Sequence, residues 1–300
     1  MPKNKHQFDP SRFIVPGDNK LNLSKRSTKA GKELRDKTHG IESLAKDVSA
    51  LQSAQEILYA SGTHSVLLIF QGMDAAGKDG TIRHVMGAIN PQGCRVYSFK
   101  APNETELKHH FLWRPMRFLP ERGMISIFNR SYYEEVLVVR VHPSFLIPQQ
   151  LPGVDLEKKN SLNKLWKQRF EEINAFEQSL ARSGTLVLKF FLHVSRDEQK
   201  ERFLERLTNP EKFWKFNSAD LSERALWSQY RRAFESALSA TSTKHAPWFV
   251  IPADNKWYMR AVIADIIAAK LEGLKLNYPA VDKTESAQFA DLAEKLRQED

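Results

Sequence analysis

Gly72-Met73-Asp74-Ala75-Ala76-Gly77-Lys78-Asp79-Gly80-Thr81 follows an apolar run at 66–70 and precedes a segment at 82–89 that reads as a helix. Strand, glycine-framed turn and helix is the setting in which a loop can cradle phosphate. Glycines let backbone N–H groups approach an anion closely, and the helix N-terminus adds partial positive charge. Lys78 brings a full charge to the outer phosphates. The spacing from Gly72 to Gly77-Lys78 fits G-x-x-x-x-G-K, but Asp79 stands where Ser or Thr would offer a hydroxyl to magnesium. Gly72, Ala76, Gly77, Asp79, Gly80 and Thr81 are the loop's phosphate-binding candidates beside Lys78. The competing reading, a tight turn with a solvated lysine, accounts for less of the pattern.

A second group follows the apolar run 124–128: Asn129, Arg130, Ser131, Tyr132, Tyr133 and Glu134. An aspartate directly after such a strand would hold magnesium; Asn129 is neutral and grips a cation less. Asp74 is therefore expected to bind the metal directly or through water, with Asn129 beside it. The alternative is that both only stabilise turns. Arg130 should point into the crevice and bridge phosphate oxygens with two parallel hydrogen bonds, unless it serves as a salt bridge that orders the loop. Tyr133 offers a stacking face for a base or fills the core.

A third group spans about 202–220. Arg202 and Arg206 are four apart and share one helix face, and Lys212 and Lys215 follow in a break rich in aromatics. This pattern suits a lid that closes cations over a phosphate chain and expels water; the competing reading is an exposed basic helix end. Trp214 and Phe216 are expected to anchor the lid on the core. His109 and His110 are adjacent and cannot share a helix face, so a metal pair is not expected.

These groups need a frame, and the apolar pattern supplies one. Strands are expected at 66–70, 95–99, 124–128, 186–192 and 248–251. Helices are expected at 34–60, 82–89, 105–114, from 132 toward 140, 161–183, 195–207, 220–238 and 260–271. Ser195 with Glu198 and Asp220 with Glu223 have capping-box spacing. Strands alternating with helices imply an α/β fold, a five-stranded, mostly parallel sheet covered on both faces. In such sheets ligands collect at the carboxyl ends of the strands, where the first two groups lie and where Asp254, Asn255 and Lys256 follow the last strand; the third group lies between two helices.

The chain has 300 residues, 41% of them hydrophobic, enough for one large domain with an ample core. Its one cysteine, Cys94, excludes a disulfide framework and is expected to be a buried small side chain. No apolar run approaches a membrane span, and the first residues lack an apolar signal core, so the cytoplasm is the expected compartment. Net charge is +9, but the first forty residues hold ten Lys/Arg against four Asp/Glu and carry most of it. A uniformly basic nucleic-acid binder is not indicated, and neither is a membrane partner. Residues 1–33 read as a basic arm, either solvated or contacting an anion or partner subunit. Residues 34–278 form the main domain, and 279–300 a charged tail with a weak helical pattern.

Together with Asn209-Pro210-Glu211-Lys212-Phe213-Trp214-Lys215-Phe216 and Ala246-Pro247-Trp248-Phe249-Val250-Ile251-Pro252-Ala253-Asp254, the motifs at 72–81 and 129–134 resemble the polyphosphate kinase 2 family over roughly residues 35–278. The resemblance implies a three-layer α/β/α P-loop kinase fold with a helical lid. It also implies reversible phosphoryl transfer between inorganic polyphosphate and ADP or AMP, with magnesium (or manganese) as cofactor. Lys78 would hold the transferred group, Asp74 would position the metal, Arg130 would bind phosphates, and Lys212 and Lys215 would belong to the lid. Many members carry Asp where Asn129 stands. The Asn-Arg-Ser-x-Tyr-Glu version is similar to the subgroup that phosphorylates both AMP and ADP, and Glu134 is a candidate to compensate for the missing carboxylate. Adenine nucleotides, with guanine nucleotides as an alternative, are the implied partners, and a homodimer or tetramer the implied assembly. The loop alone would serve equally an ATP-dependent kinase of a small molecule or nucleoside monophosphate.

Overall fold

The computed structural model describes residues 6–17 and 20–299. The first five residues of the expected arm, its residues 18 and 19, and the last residue of the expected tail lie outside the described residues. In chain order the elements are α1 (Lys37–Ser61), β1 (Ser65–Gly72), α2 (Lys78–Met86), β2 (Cys94–Ser98), α3 (Glu104–Leu107), α4 (Trp113–Met116), β3 (Ile125–Asn129), α5 (Val138–Val141), α6 (Lys159–Arg182), β4 (Thr185–His193), α7 (Arg196–Thr208), α8 (Ala219–Ala225), α9 (Trp227–Thr241), β5 (Trp248–Pro252), α10 (Lys256–Glu272) and α11 (Lys283–Arg297).

Five parallel strands pair in the order β2-β3-β1-β4-β5. The central strand β1 is flanked on both sides, with Val66 opposite Ile125 and Leu186. Every side chain from Val66 to Phe70 is fully buried, as a strand covered on both faces requires. Strand alternation divides them: Val66, Leu68 and Phe70 join a core with the α1, α2 and α10 layer, whereas Leu67 and Ile69 join one with α6 and α9. The result is a three-layer α/β/α fold. No helix among the described residues is long and apolar enough to cross a membrane.

The described part of residues 1–33 is neither a solvated tail nor a free arm. Phe8, Phe13 and Val15 are buried, Ile14 bridges antiparallel to Phe249, and Val15 donates to the Trp248 carbonyl at 2.9 Å. The segment thus covers the edge that β5 would otherwise expose.

Strand β4 contains a buried lysine. Lys189 Nζ lies 2.5 Å from Glu177 on α6, with both side chains fully buried. Tyr132 and Tyr133 each donate a hydroxyl to Glu177 Oε1 at 2.8 Å, and Lys189 also donates to the Thr241 carbonyl. Every charge in this network is hydrogen-bonded, the condition for an ion pair to survive in an apolar layer.

Several expected elements differ. The helix expected at 105–114 is two short helices, because Pro115 is tolerated only in a first turn and forces a new start at Trp113. The Ser195–Glu198 box is half made: Ser195 caps the Glu198 amide, but Glu198 turns its carboxylate to Arg202. The Asp220–Glu223 box does not form. Asp220 faces Arg206, and Glu223 accepts from His142 and Tyr230. The helix expected at 220–238 is interrupted at Leu226, which leaves helical geometry at φ −85°, ψ 12°, and divides into α8 and α9.

Candidate active site

The loop 72–81 turns sharply between β1 and α2. A Cβ on Gly72 would lie 3.0 Å from Ala76 Cβ and 3.1 Å from the Leu192 carbonyl, so a side chain there would crowd the strand end and make its neighbours shift by a few tenths of an ångström. Gly77, at φ 104°, precedes the first helical residue, Lys78. Ala75 and Arg130 also hold positive φ, 58° and 62°, a conformation non-glycine residues adopt only where surrounding structure enforces it.

Lys78 folds back so that Nζ donates to the Gly72 carbonyl at 3.1 Å. Burial, and then the neighbouring Arg130 guanidinium, push its pKa down to about 8 against the pull of Asp74, Glu134 and Asp79. Arg130 donates to Asp74 Oδ1 at 3.0 Å and to Glu134 Oε2 at 2.9 Å; Glu134 above all holds it charged. Asn129 donates Nδ2 to Asp79 Oδ1 at 2.5 Å.

Asp74, Lys78, Asp79, Asn129 and Arg130 open onto a cleft of about 540 Å³ beyond the strand ends, lined by ten Lys/Arg against four Asp/Glu. Ala76, Gly77, Gly80, Arg206, Lys212 and Lys215 line it as well. Lys212 pairs with Glu205, and Arg206 donates to Asp220 and to the Lys215 carbonyl.

Three candidates have other roles. Thr81 is fully buried and donates its hydroxyl to the Gly77 carbonyl, closing the first turn of α2 instead of facing a ligand. Tyr133 is fully buried in the Glu177–Lys189 network, so no base can stack on it. Arg202 borders the cleft but its donors are engaged by the protein. It reaches the carbonyls of Ala75, Ala76, Ala253 and Asp254 and the Glu198 carboxylate, tying α7 to the loop. Trp214 does not anchor the 202–220 segment: it is 78% exposed, with Lys215 Nζ 4.8 Å from its ring. Phe216 does pack inward, edge-on to Phe203.

Three cations in the lining were not among the candidates: Arg83, Lys100 and Arg260. Lys100 follows a strand end, the position that marks Lys256 in the sequence, and Lys256 lines the cleft as well. Arg260 stands one turn beyond Lys256 on α10. Burial, with Arg202 close by, lowers the pKa of Lys256; burial, with Arg83 and Arg202, lowers that of Arg260. Arg260 Nε is buried with no hydrogen-bond partner among the described residues. Crowded, underpaired cations of this kind call for an anion.

A second cavity of about 530 Å³ adjoins the cleft, sharing Phe99, Lys100 and Arg130 with it, and its walls include Leu107, Phe111, Val139, Phe145 and Pro148. It is largely apolar and lacks the cationic crowding of the cleft. His109 lines it and stacks on Trp113 at 4.0 Å, whereas His110 lies toward Glu172.

Among the described residues no three His, Cys, Asp or Glu side chains cluster as a complete metal cage. Asp74 and Asp79 both line the cleft. Each has one carboxylate oxygen engaged, by Arg130 and Asn129, and no partner for the other among the described residues. Two carboxylates facing a phosphate site fit magnesium, which takes one or two protein carboxylates together with substrate phosphates and water.

The chain was compared with known proteins. The family described as Polyphosphate kinase 2 (PPK2) matches residues 34–278. The ADP-polyphosphate phosphotransferase of Rhodopseudomonas palustris is 48% identical over 285 residues, 95% of this chain and 97% of that protein. The AMP/ADP-polyphosphate phosphotransferase of Meiothermus ruber is 48% identical over 243 residues, 81% of this chain and 85% of that protein. The crystal structure of polyphosphate kinase 2 from Arthrobacter aurescens TC1 superposes with a TM-score of 0.85 at 36% identity, covering 97% of this chain and 98% of that one.

Proposed function

The chain belongs to the polyphosphate kinase 2 family, and on that premise we propose that it is a polyphosphate-dependent nucleotide kinase, moving a phosphoryl group between inorganic polyphosphate and ADP, AMP or both. The observation that carries this reading is the pairing of two cavities. A cleft crowded with cations suits a chain of phosphates, and the apolar cavity that joins it at Arg130 suits a nucleoside.

The chemistry asks little of the protein beyond charge and alignment. The acceptor is a nucleotide phosphate oxygen that is already ionised at neutral pH, so no general base is needed. That oxygen attacks the terminal phosphorus of the donor in line. A new P–O bond forms as the anhydride P–O bond breaks, and the shortened polyphosphate leaves with the electron pair. One anhydride replaces another when ADP is the acceptor, and when AMP is; the step therefore runs in either direction.

Lys78, fixed at the head of α2, neutralises the transferred group. Arg130, held between Asp74 and Glu134, lies where the two cavities meet and bridges acceptor and transferred phosphates. Arg83, Lys256 and Arg260 lie on the cleft walls and suit the donor's tail, while Arg206, Lys212 and Lys215 close over it. Asp74 and Asp79 would hold magnesium, or manganese, with Asn129 orienting Asp79 instead of binding the ion itself. When bound, the ion neutralises phosphate charge and helps align the two substrates. Guanine nucleotides as further acceptors, a cytoplasmic setting and a homodimeric or tetrameric assembly complete the proposal.

The test is a donor and acceptor matrix. Purified protein with magnesium is given long-chain polyphosphate or ATP as donor, and AMP, ADP or a non-nucleotide alcohol as acceptor. Nucleotide product from polyphosphate supports the reading. Transfer from ATP to the alcohol, with none from polyphosphate, would replace it by an ATP-dependent small-molecule kinase.

A further inference from the structure

A cavity of about 550 Å³ lies between α5, α9 and the N-terminal segment and shares no lining residue with the catalytic cleft. Lys20, Arg140 and Arg232 bring three positive charges to it, and Gln229 and Ser236 add uncharged donors. Among the described residues the one acid in the wall, Glu235, accepts the Leu23 amide at 2.9 Å. Among the described residues neither Arg140 nor Arg232 has a carboxylate within 4.0 Å; the charged partners of the nearby helices, His142–Glu223 and Arg169–Glu135, are paired among themselves.

Arg140 is the unusual member. Its Nη1 is buried without a hydrogen-bond partner among the described residues, and burial lowers its pKa. A buried donor left unmade costs about 1–3 kcal/mol and more when charged, so an acceptor arriving there recovers that energy. The next arginine, Arg231 on α9, donates to Ser24 but also leaves Nε buried and unpartnered among the described residues. On α9, Gln229, Arg232 and Ser236 recur at three- and four-residue steps and face the cavity, whereas Tyr230 and Phe234 face a pocket beside Asp74 and Arg130. Planar guanidinium groups with nearby hydroxyl and amide donors match tetrahedral phosphate oxygens.

We propose that this cavity is a second anion site that binds a multivalent inorganic phosphate, either a distal stretch of the polyphosphate donor or a separate short polyphosphate. The site stands on its own residues and not on the catalytic reading.

Calorimetric titration of the full chain with tripolyphosphate, without nucleotide or metal, tests it. The wild type should bind at two sites per chain. Arg232→Glu, a change at an exposed position, should abolish one of them or weaken it at least about tenfold, the effect of losing one charged hydrogen bond. Arg140→Gln should do the same. Steady-state assays then sort the source. A higher KM for long-chain polyphosphate alone in Arg232→Glu identifies the site as a grip on the donor. A changed kcat with donors of every length identifies a separate anion that acts from a distance. Tripolyphosphate binding that both variants leave untouched, whether at one site or at two, would overturn the proposal. Because the titration reads binding without turnover, an enzyme that fails to transfer phosphate would sink the functional reading and leave this result standing.

Discussion

The ammonium of Lys78 lies 3.1 Å from the carbonyl oxygen of Gly72, folded back over the loop whose two ends these residues mark. The charge is thereby fixed before any substrate arrives, but it sits in a poorly solvated place that lowers its pKa to about 8. Without ligand the group loses its proton as pH rises through that value. A bound phosphate favours the charged form and raises the pKa, so binding takes up a proton above pH 8. KM for polyphosphate should therefore be flat below pH 8 and climb above it, with a slope approaching tenfold per pH unit. Lys78→Arg, which does not titrate in this range, should lack the upturn; initial rates at several polyphosphate concentrations across pH 6.5–9.5 would show it.

Arg202 and Lys212 both border the cleft but should respond differently to removal. Arg202→Met strips the carbonyls of Ala75, Ala76, Ala253 and Asp254 of a shared charged donor. We expect a loss of about 2–4 kcal/mol in urea unfolding, the scale of a broken buried charged hydrogen-bond network. Lys212→Ala, at a more exposed pair with Glu205, should change stability by less than about 1 kcal/mol and act on polyphosphate KM instead.

The Glu177–Lys189 pair lies outside the chemistry. Lys189→Met leaves a buried carboxylate facing two tyrosine hydroxyls and should cost about 3–5 kcal/mol. The milder Tyr133→Phe should cost about 1–2 kcal/mol and leave nucleotide KM unchanged. A raised nucleotide KM in Tyr133→Phe would instead mean that the hydroxyl network helps to shape the nucleotide site.

Asn129 offers a way to probe the metal. Asn129→Asp places a second carboxylate against Asp79 where an amide now donates at 2.5 Å. The metal-free protein should lose thermal stability, and the magnesium concentration for half-maximal rate should fall. Asp79→Asn should raise that concentration. An unchanged magnesium dependence in both variants would remove Asp79 from the metal site.

How much of this was readable beforehand follows from sequence distance. The 72–81 loop is one contiguous motif and Arg130 directly follows a strand, so both could be located from local pattern and the strand-end rule. The order of strands was not readable, but the apolar β1 announced a covered central position. Arg202 looked like a cation offered to ligand, and nothing local reveals that its partners are carbonyls at 75, 76, 253 and 254. Tyr133 was ambiguous for the same reason: its fate is decided by Glu177 and Lys189, 44 and 56 residues away. Arg260 opens the stretch 260–271 that reads as a core helix, and only the packing of α10 beside the loop brings it to the cleft.

The most direct test follows ATP formation from ADP, long-chain polyphosphate and magnesium in the wild type and in Lys78→Met, with circular dichroism confirming the fold of both. The account predicts steady ATP production by the wild type and a fall of at least about a thousandfold in kcat for the variant, the loss expected when a preorganised charge is taken from the transferring group. A folded wild type that makes no nucleotide from polyphosphate, or a Lys78→Met variant that keeps wild-type turnover, would contradict it.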